Sequence, residues 1–253
     1  GTLGVEQIDY VTVASTNSAL DFGNLDLPTG HGGSDGASNG TLVFFNGGRR
    51  SGAHDDDMEY VTIASTGNGT DAGNLEASQA YHSTSNGDSK YLIMGGRLSS
   101  GYPLADVSQH SFSTSANATD FGALGVFAMY SSAVVSSTTR VVSAGGTYGP
   151  GSWTLSGDDI HYFSPASAAT SVDDGYSIQA ALHWLSGTSD GTTGEFYGGE
   201  ASGSVSVARI DKITIASLAD AADAGDLAHP TSIEFSIYSA AGGMNAMNSQ
   251  SGT

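Results

Sequence analysis

The chain has 253 residues, with 26 Asp and Glu against 7 Lys and Arg, a formal charge of -19. Such a field repels phosphate backbones and anionic headgroups, so nucleic acid and membrane surfaces are poor partners, and no apolar run approaches the ~20 residues of a membrane span. With no cysteine, disulfides, Cys-ligated zinc, thiol nucleophiles and iron–sulfur clusters are excluded.

The first element is a strand over QIDYVTVAST, where Ile8, Val11 and Val13 approximate the alternation of a half-buried β-strand. An Asn- and Asp-rich turn follows, then a short outer strand around Asp21 and Gly23, then an apolar run, LVFFNGG, that closes on Gly47 and Gly48. The second unit repeats this order through DMEYVTIAST, Asp71 and Gly73, and the pair Gly95 and Gly96. Within it, AYHSTS and KYLIM flank Asn86-Gly87-Asp88-Ser89, the signature of a tight hairpin turn. The third, fourth and fifth units open with DVSQHSFSTS, DIHYFSPASA and RIDKITIASL. The leading core residues Ile8, Met58, Val107, Ile160 and Ile210 are spaced by 50, 49, 53 and 50 residues. Asp21, Asp71, Asp120, Asp173 and Asp223, each two residues before a glycine, repeat the same four steps. Gly-Gly pairs close each unit, the last at Gly242 and Gly243, and the fifth unit runs only 15 residues from Leu227 to Gly242 against 20 from Leu75 to Gly95. Its final hairpin is therefore shortened or differently built.

Four short strands in about 50 residues make a propeller blade. The expected fold is all-β: one domain over residues 1–253, a five-bladed propeller with units starting near 5, 57, 106, 158 and 208, whose two termini share one blade and leave no open edge. Ile8, Val11, Val13, Met58, Val61, Ile63, Ile210, Ile213 and Ile215 recur at the repeat period and are expected between blades.

The Gly-Gly pairs, followed by a loop and a strand carrying Tyr10, Tyr60 and Tyr162, resemble the kelch repeat. The stretch EYVTIASTGNGTDAGNL and its relatives in units one and three look like the kelch-like repeats of tailed-bacteriophage virion proteins. The resemblance spans essentially the whole chain and implies a kelch-like propeller in a phage particle. It departs from the kelch pattern at the blade's Trp, in whose place Phe22, Ala72, Phe121, Asp174 and Ala224 stand. The copper radical oxidases, kelch-like enzymes, need a Cys-linked Tyr, and this chain has no cysteine.

No catalytic constellation emerges from the spacing. His31, His54, His82, His110, His161, His183 and His229 are scattered over the units without a metal-ligand spacing. The recurring aspartates read as turn-formers that accept backbone N–H groups, with calcium ligation as the alternative. Asp55-Asp56-Asp57 reads as a solvated loop tip and Ser189-Asp190-Gly191-Thr192 as a hairpin turn. The loops after Gly-Gly vary most, and equivalent loops of a propeller emerge on one face. They carry Arg49, Arg50, Arg97, Tyr102, Tyr148 and Trp153, residues suited to stacking on sugars or anchoring a partner. Ile233, Phe235 and Ile237 of the fifth unit form a second candidate docking strand.

These readings converge on a non-enzymatic fibre, spike or decoration subunit of a virion. Its partners would be other virion proteins and host glycans, it would be present as a homo-oligomer or in many copies, and no cofactor or metal is called for. The alternative is a secreted or surface glycan-active enzyme or lectin on the same scaffold.

Overall fold

The computed structural model describes residues 6–12, 14, 16–26, 32–50, 52–87, 89–113, 115–125, 128–149, 157–202, 205–217 and 219–228, with the Asp174 side chain left aside. Every regular element among them is a β-strand. The sheets stand in a propeller-like ring. The first blade is formed by β3 (Asp35–Ser38), β4 (Leu42–Arg50), β5 (Ala53–Thr62) and β6 (Thr70–Asn74), all antiparallel and in sequence order. Three further four-stranded blades repeat that order, with outermost strands at Thr119–Ala123, Val172–Ser177 and Ala222–Asp226.

Four complete blades stand among the described residues, not the five expected. The N-terminal unit contributes a two-stranded sheet, β1 (Gln7–Tyr10) with β2 (Leu20–Asn24), which repeats only the outer half of a blade. The remaining strands of a fifth blade were expected within residues 231–243, which lie outside the described residues. The stretch from Leu227 to Gly242 is 15 residues, against 20 from Leu75 to Gly95, so this unit departs from the others in length.

The outer half of each unit has one construction. The leading strand bulges after its first core residue, between Ile8 and Asp9, Met58 and Glu59, Val107 and Ser108, and Ile210 and Asp211, opposite Gly23, Gly73, Gly122 and Gly225. The aspartate two residues earlier holds the bulge: the Oδ1 atoms of Asp71, Asp173 and Asp223 accept the amides of Gly73, Gly175 and Gly225 at 2.7–2.8 Å. These three carboxylates are turn-formers, as the repeat implied. Four of the outer strands are then tied to the following blade, whose turn donates from Gly67 to Phe22, Ala118 to Asn74, Ser171 to Ala123 and Ala221 to Ser177, at 2.8–2.9 Å.

The inner strands make a second seam nearer the axis. Thr84 donates its amide and its hydroxyl to Asp35 Oδ2, Ser83 Oγ donates to the Ser132 carbonyl, and Ser189 Oγ donates to the Ser136 carbonyl. Between these polar seams lie the apolar layers. One packs Val135, Val142 and Ile160 of the third blade against Phe196, Ile213 and Ile215 of the fourth. Another joins Phe44 and Met58 to Tyr91, Ile93 and Phe112. Of the nine recurring positions, Met58, Val61, Ile213 and Ile215 are buried. Ile8 and Ile210 are half-buried. Val11 and Ile63 depart from the expectation, at 59% and 41% exposed, and the sheet beside them has two strands rather than four among the described residues. Val13 lies outside the described residues.

Candidate functional site

Each blade ends its second strand on a glycine pair in left-handed conformation: Gly47 and Gly48, Gly95 and Gly96, Gly145 and Gly146, Gly198 and Gly199, with φ between 47° and 116°. The chain entering the next blade runs directly over the pair. A Cβ on Gly95 would stand 2.2 Å from the Met129 carbonyl oxygen, and one on Gly145 2.6 Å from that of Leu182. Only glycine meets both the backbone angle and the close approach.

The residue after each pair, Arg49, Arg97, Thr147 and Glu200, bridges back to Gly32, Ala80, Tyr130 and His183 of its own unit. The next residue in each case is Gly33, Tyr81, Ser131 or Trp184, and all four have φ near +60°. Their backbones form a spiral around the axis: Tyr81 N donates to Gly33 O at 2.7 Å, Ser131 N to Tyr81 O at 2.8 Å, and Trp184 N to Ser131 O at 2.9 Å. A left-handed conformation is costly for a residue as bulky as Tyr or Trp, and such strain persists only where the surroundings hold it. Here three inter-blade hydrogen bonds hold it.

The spiral turns aromatic rings toward one another at the mouth of the axis. The Tyr81 ring packs edge-to-face on Trp184 with centroids 5.3 Å apart, and lies 6.5 Å from Tyr130 and 6.0 Å from His54. It covers Gly33, where a Cβ would stand 2.5 Å from Tyr81 Cε1. Arg97 holds its guanidinium carbon 5.5 Å from the Tyr130 ring centroid, a cation–π contact, while its Nε donates to the Gly101 carbonyl. The His54 Nδ1–H faces the Arg97 carbonyl at 2.6 Å. Burial is the main cause that holds His54 below the ordinary imidazole pKa, with the Arg97 and Arg49 charges acting the same way. His183 is likewise lowered by burial, against the pull of Glu200, whose Oε1 lies 3.8 Å from His183 Nε2.

The structure brings part of the sequence-selected set to this mouth. Arg97 sits in it, and Arg49 is half-buried at its rim. Arg50 is diverted: its Nε is 2.9 Å from Asp55 Oδ2 and its Nη1 4.0 Å from Asp57 Oδ2. The carboxylates of Asp55, Asp56 and Asp57 converge within 4.8 Å, and this guanidinium lies against two of them. Tyr102 is 57% exposed on the second blade's loop. Tyr148 is half-buried beside Gly157, and its phenol is pushed up by burial and by Asp159 and Asp158. Trp153, Ile233, Phe235, Ile237, His31 and His229 lie outside the described residues. Asp190 serves its hairpin, with Oδ1 accepting the amides of Thr192 and Thr193 at 2.8 and 2.6 Å.

Tyr81, Tyr130 and Trp184 were not singled out from sequence. A signal was present: Gly33, Tyr81, Ser131 and Trp184 each precede their glycine pair by 14 residues, so they share its steps of 48, 50 and 53. Tyr130 and Trp184 are buried, so the accessible part of the set is the half-buried Tyr81 ring and Arg97 guanidinium, a stacking face and a cation held in place by the rings beneath them, the chemistry of sugar and protein-anchor recognition.

Fold and mouth together define an all-β protein with a propeller-like ring of sheets. No protein-family model matches the chain, and no curated protein matches it.

Proposed function

We propose that this chain is a non-enzymatic binding and structural module of a tailed-phage particle, a fibre, spike or decoration subunit. Its Gly-Gly face docks to other virion proteins and to host surface glycans. The observation that carries the binding reading is the placement of half-buried Arg97 and Tyr81 together at one end of the axis, backed by the buried rings of Tyr130 and Trp184, on a backbone spiral that pre-sets their positions. The particle context rests on the recurring phrase EYVTIASTGNGTDAGNL and its relatives, and with it goes the kelch-like, five-unit reading of the ring. Multiple copies in the particle follow from that context.

The test is a glycan array and a set of hydrolase substrates presented to the purified chain, alongside capture of proteins from a dissociated particle. Binding without turnover supports the module. Turnover of any sugar moves the chain to the alternative class, a glycan-active enzyme on a propeller scaffold.

A further inference from the structure

The position that follows each glycine pair differs in charge around the mouth. Arg49 and Arg97 occupy it in the first two blades, Thr147 in the third and Glu200, beside His183, in the fourth. One half of the mouth is therefore cationic in a chain of net charge -19. His54 draws the two arginine-bearing segments together. It stands opposite Arg49 in the β4–β5 hairpin, and residues directly opposite in an antiparallel pair share a face. Its amide donates to Ser99 Oγ at 2.8 Å and its Nδ1–H to the Arg97 carbonyl at 2.6 Å, so the hairpin of the first blade is docked on the loop of the second. The Tyr81 ring meets the imidazole edge-to-face, with centroids 6.0 Å apart. Arg49, His54, Tyr81 and Arg97 are all half-buried, which leaves each of them accessible.

Among the described residues the ion pairs engage Arg50, Arg209, Lys212 and His183, and no carboxylate pairs with Arg49. Arg97 is positioned by the Gly101 carbonyl and the Tyr130 ring, both uncharged. A guanidinium fork matches a carboxylate with two parallel hydrogen bonds, and an aromatic ring presents a flat face to the apolar side of a pyranose. We infer that the axial mouth receives a sugar of the uronic-acid class, with its carboxylate between Arg49 and Arg97 and its ring against Tyr81. This inference rests on the host-glycan part of the proposed function and narrows it to acidic sugars. A single carboxylate is favoured over a polyanion. The field of -19 opposes a long run of negative charges but is screened beyond ~8 Å in physiological salt, whereas the guanidiniums act at contact. Glu200 on the opposite half repels a second negative group and so orients the ligand.

His54 makes occupancy readable. Burial, and then the charges of Arg97 and Arg49, hold its ring below the ordinary imidazole pKa, against the pull of the Arg97 carbonyl. Because a carbonyl only accepts, Nδ1 carries the proton in the neutral ring and Nε2 is the atom that gains one. A carboxylate lodged between the two guanidiniums offsets their charge, so His54 protonates more readily when the site is filled. By linkage, the affinity for the acidic sugar rises as pH falls through the imidazole range.

An NMR titration of the full chain with methyl glucuronide, and in parallel with methyl glucoside, isolates the charge, since the two sugars differ only in carboxylate against hydroxymethyl. The His54 ring resonances, assigned by their loss in His54→Gln, are expected to shift saturably with the glucuronide and to stay in place with the glucoside. The His54 pKa is expected to rise by about half a unit at saturation. Arg49→Gln is expected to weaken glucuronide binding about tenfold, and Arg50→Ala, held by Asp55, to leave it unchanged. Circular dichroism checks that the variants fold, and the comparison of the two sugars on the unaltered chain does not depend on any variant. Equal responses to the two sugars, or undiminished binding by Arg49→Gln, would overturn the inference and leave the broader glycan reading standing. Acetate moving His54 as far as the glucuronide does would also overturn it, by making the site one for any carboxylate. Binding of neither sugar, with a blank glycan array, would remove the glycan reading along with the inference. Turnover of a bound uronide would instead keep the site and refute the non-enzymatic class.

Discussion

The Asp35 carboxylate accepts the Thr84 amide at 2.7 Å and the Thr84 hydroxyl at 3.0 Å, closing the seam between the first two blades at their innermost strands. Its second oxygen accepts the Gly36 amide at 2.9 Å. Despite these bonds, burial dominates and pushes the Asp35 pKa up to about 6. From the ordinary carboxylate value of 3.8 up to about 6, the folded chain keeps a proton that the unfolded chain has released. The contribution of this group to stability therefore falls as pH rises through that window and is flat above it. Asp35→Asn removes the titration, and its amide cannot accept all three donors, so it lowers stability at every pH. The gap between wild type and variant is expected to be widest near pH 4 and to narrow by pH 7 in urea unfolding; a pH-independent gap would contradict the assignment.

His82 supplies the opposite slope. Buried between blades at 3% exposure, it has its pKa lowered by desolvation to about 4. A folded pKa below the unfolded 6.5 means that stability is complete above pH 6.5 and is lost as pH falls toward 4. The full loss is on the order of 3 kcal/mol. His82→Gln abolishes that dependence, so its unfolding free energy is expected to be flatter than that of wild type between pH 6.5 and 4. Parallel acid limbs in the two proteins would show that His82 does not titrate in this way.

Two glycine substitutions separate backbone strain from collision. Gly175 has φ +77° with nothing within 4 Å of an added Cβ, so Gly175→Ala is expected to cost about 1 kcal/mol through conformation alone. Gly95 has φ +62° and would place its Cβ 2.2 Å from the Met129 carbonyl oxygen, so Gly95→Ala is expected to cost more than ~3 kcal/mol. Thermal melts of the two variants rank them; comparable losses would mean that the chain entering the third blade can shift aside.

At the axial mouth, Tyr81→Gly tests binding apart from folding. Glycine suits φ +61°, so backbone strain is relieved while the ring contacts with Trp184 and Tyr130 are lost, and stability is expected to change by about 1 kcal/mol or less. Affinity for a glycan identified on the array is expected to drop about tenfold or more, and Arg97→Ala to act in the same direction. Arg50→Ala, whose guanidinium is held by Asp55, is expected to leave affinity unchanged. Equal binding by Tyr81→Gly and wild type would move the site away from the axis.

The sequence by itself determined the repeat and the local construction of each unit. The period, the Asp-x-Gly bulge and the glycine pairs are enforced within a few residues of chain, through a carboxylate reaching the amide two positions on and through backbone angles that only glycine meets without strain. Ile213 and Ile215 were legible as inter-blade residues because alternation along one strand fixes the face. Ile63 occupies the position equivalent to Ile215 and is exposed, because its cover depends on strands far away in sequence. Tertiary structure alone decided the rest. Arg49 and Arg50 are neighbours in sequence, yet Arg50 is turned onto Asp55 in the partner strand of its hairpin. Tyr81 and Trp184 meet across the axis although 103 residues separate them. Their left-handed backbones are held by hydrogen bonds from neighbouring blades, and such long-range restraints override the local preference of a bulky residue, which is the only preference that sequence displays.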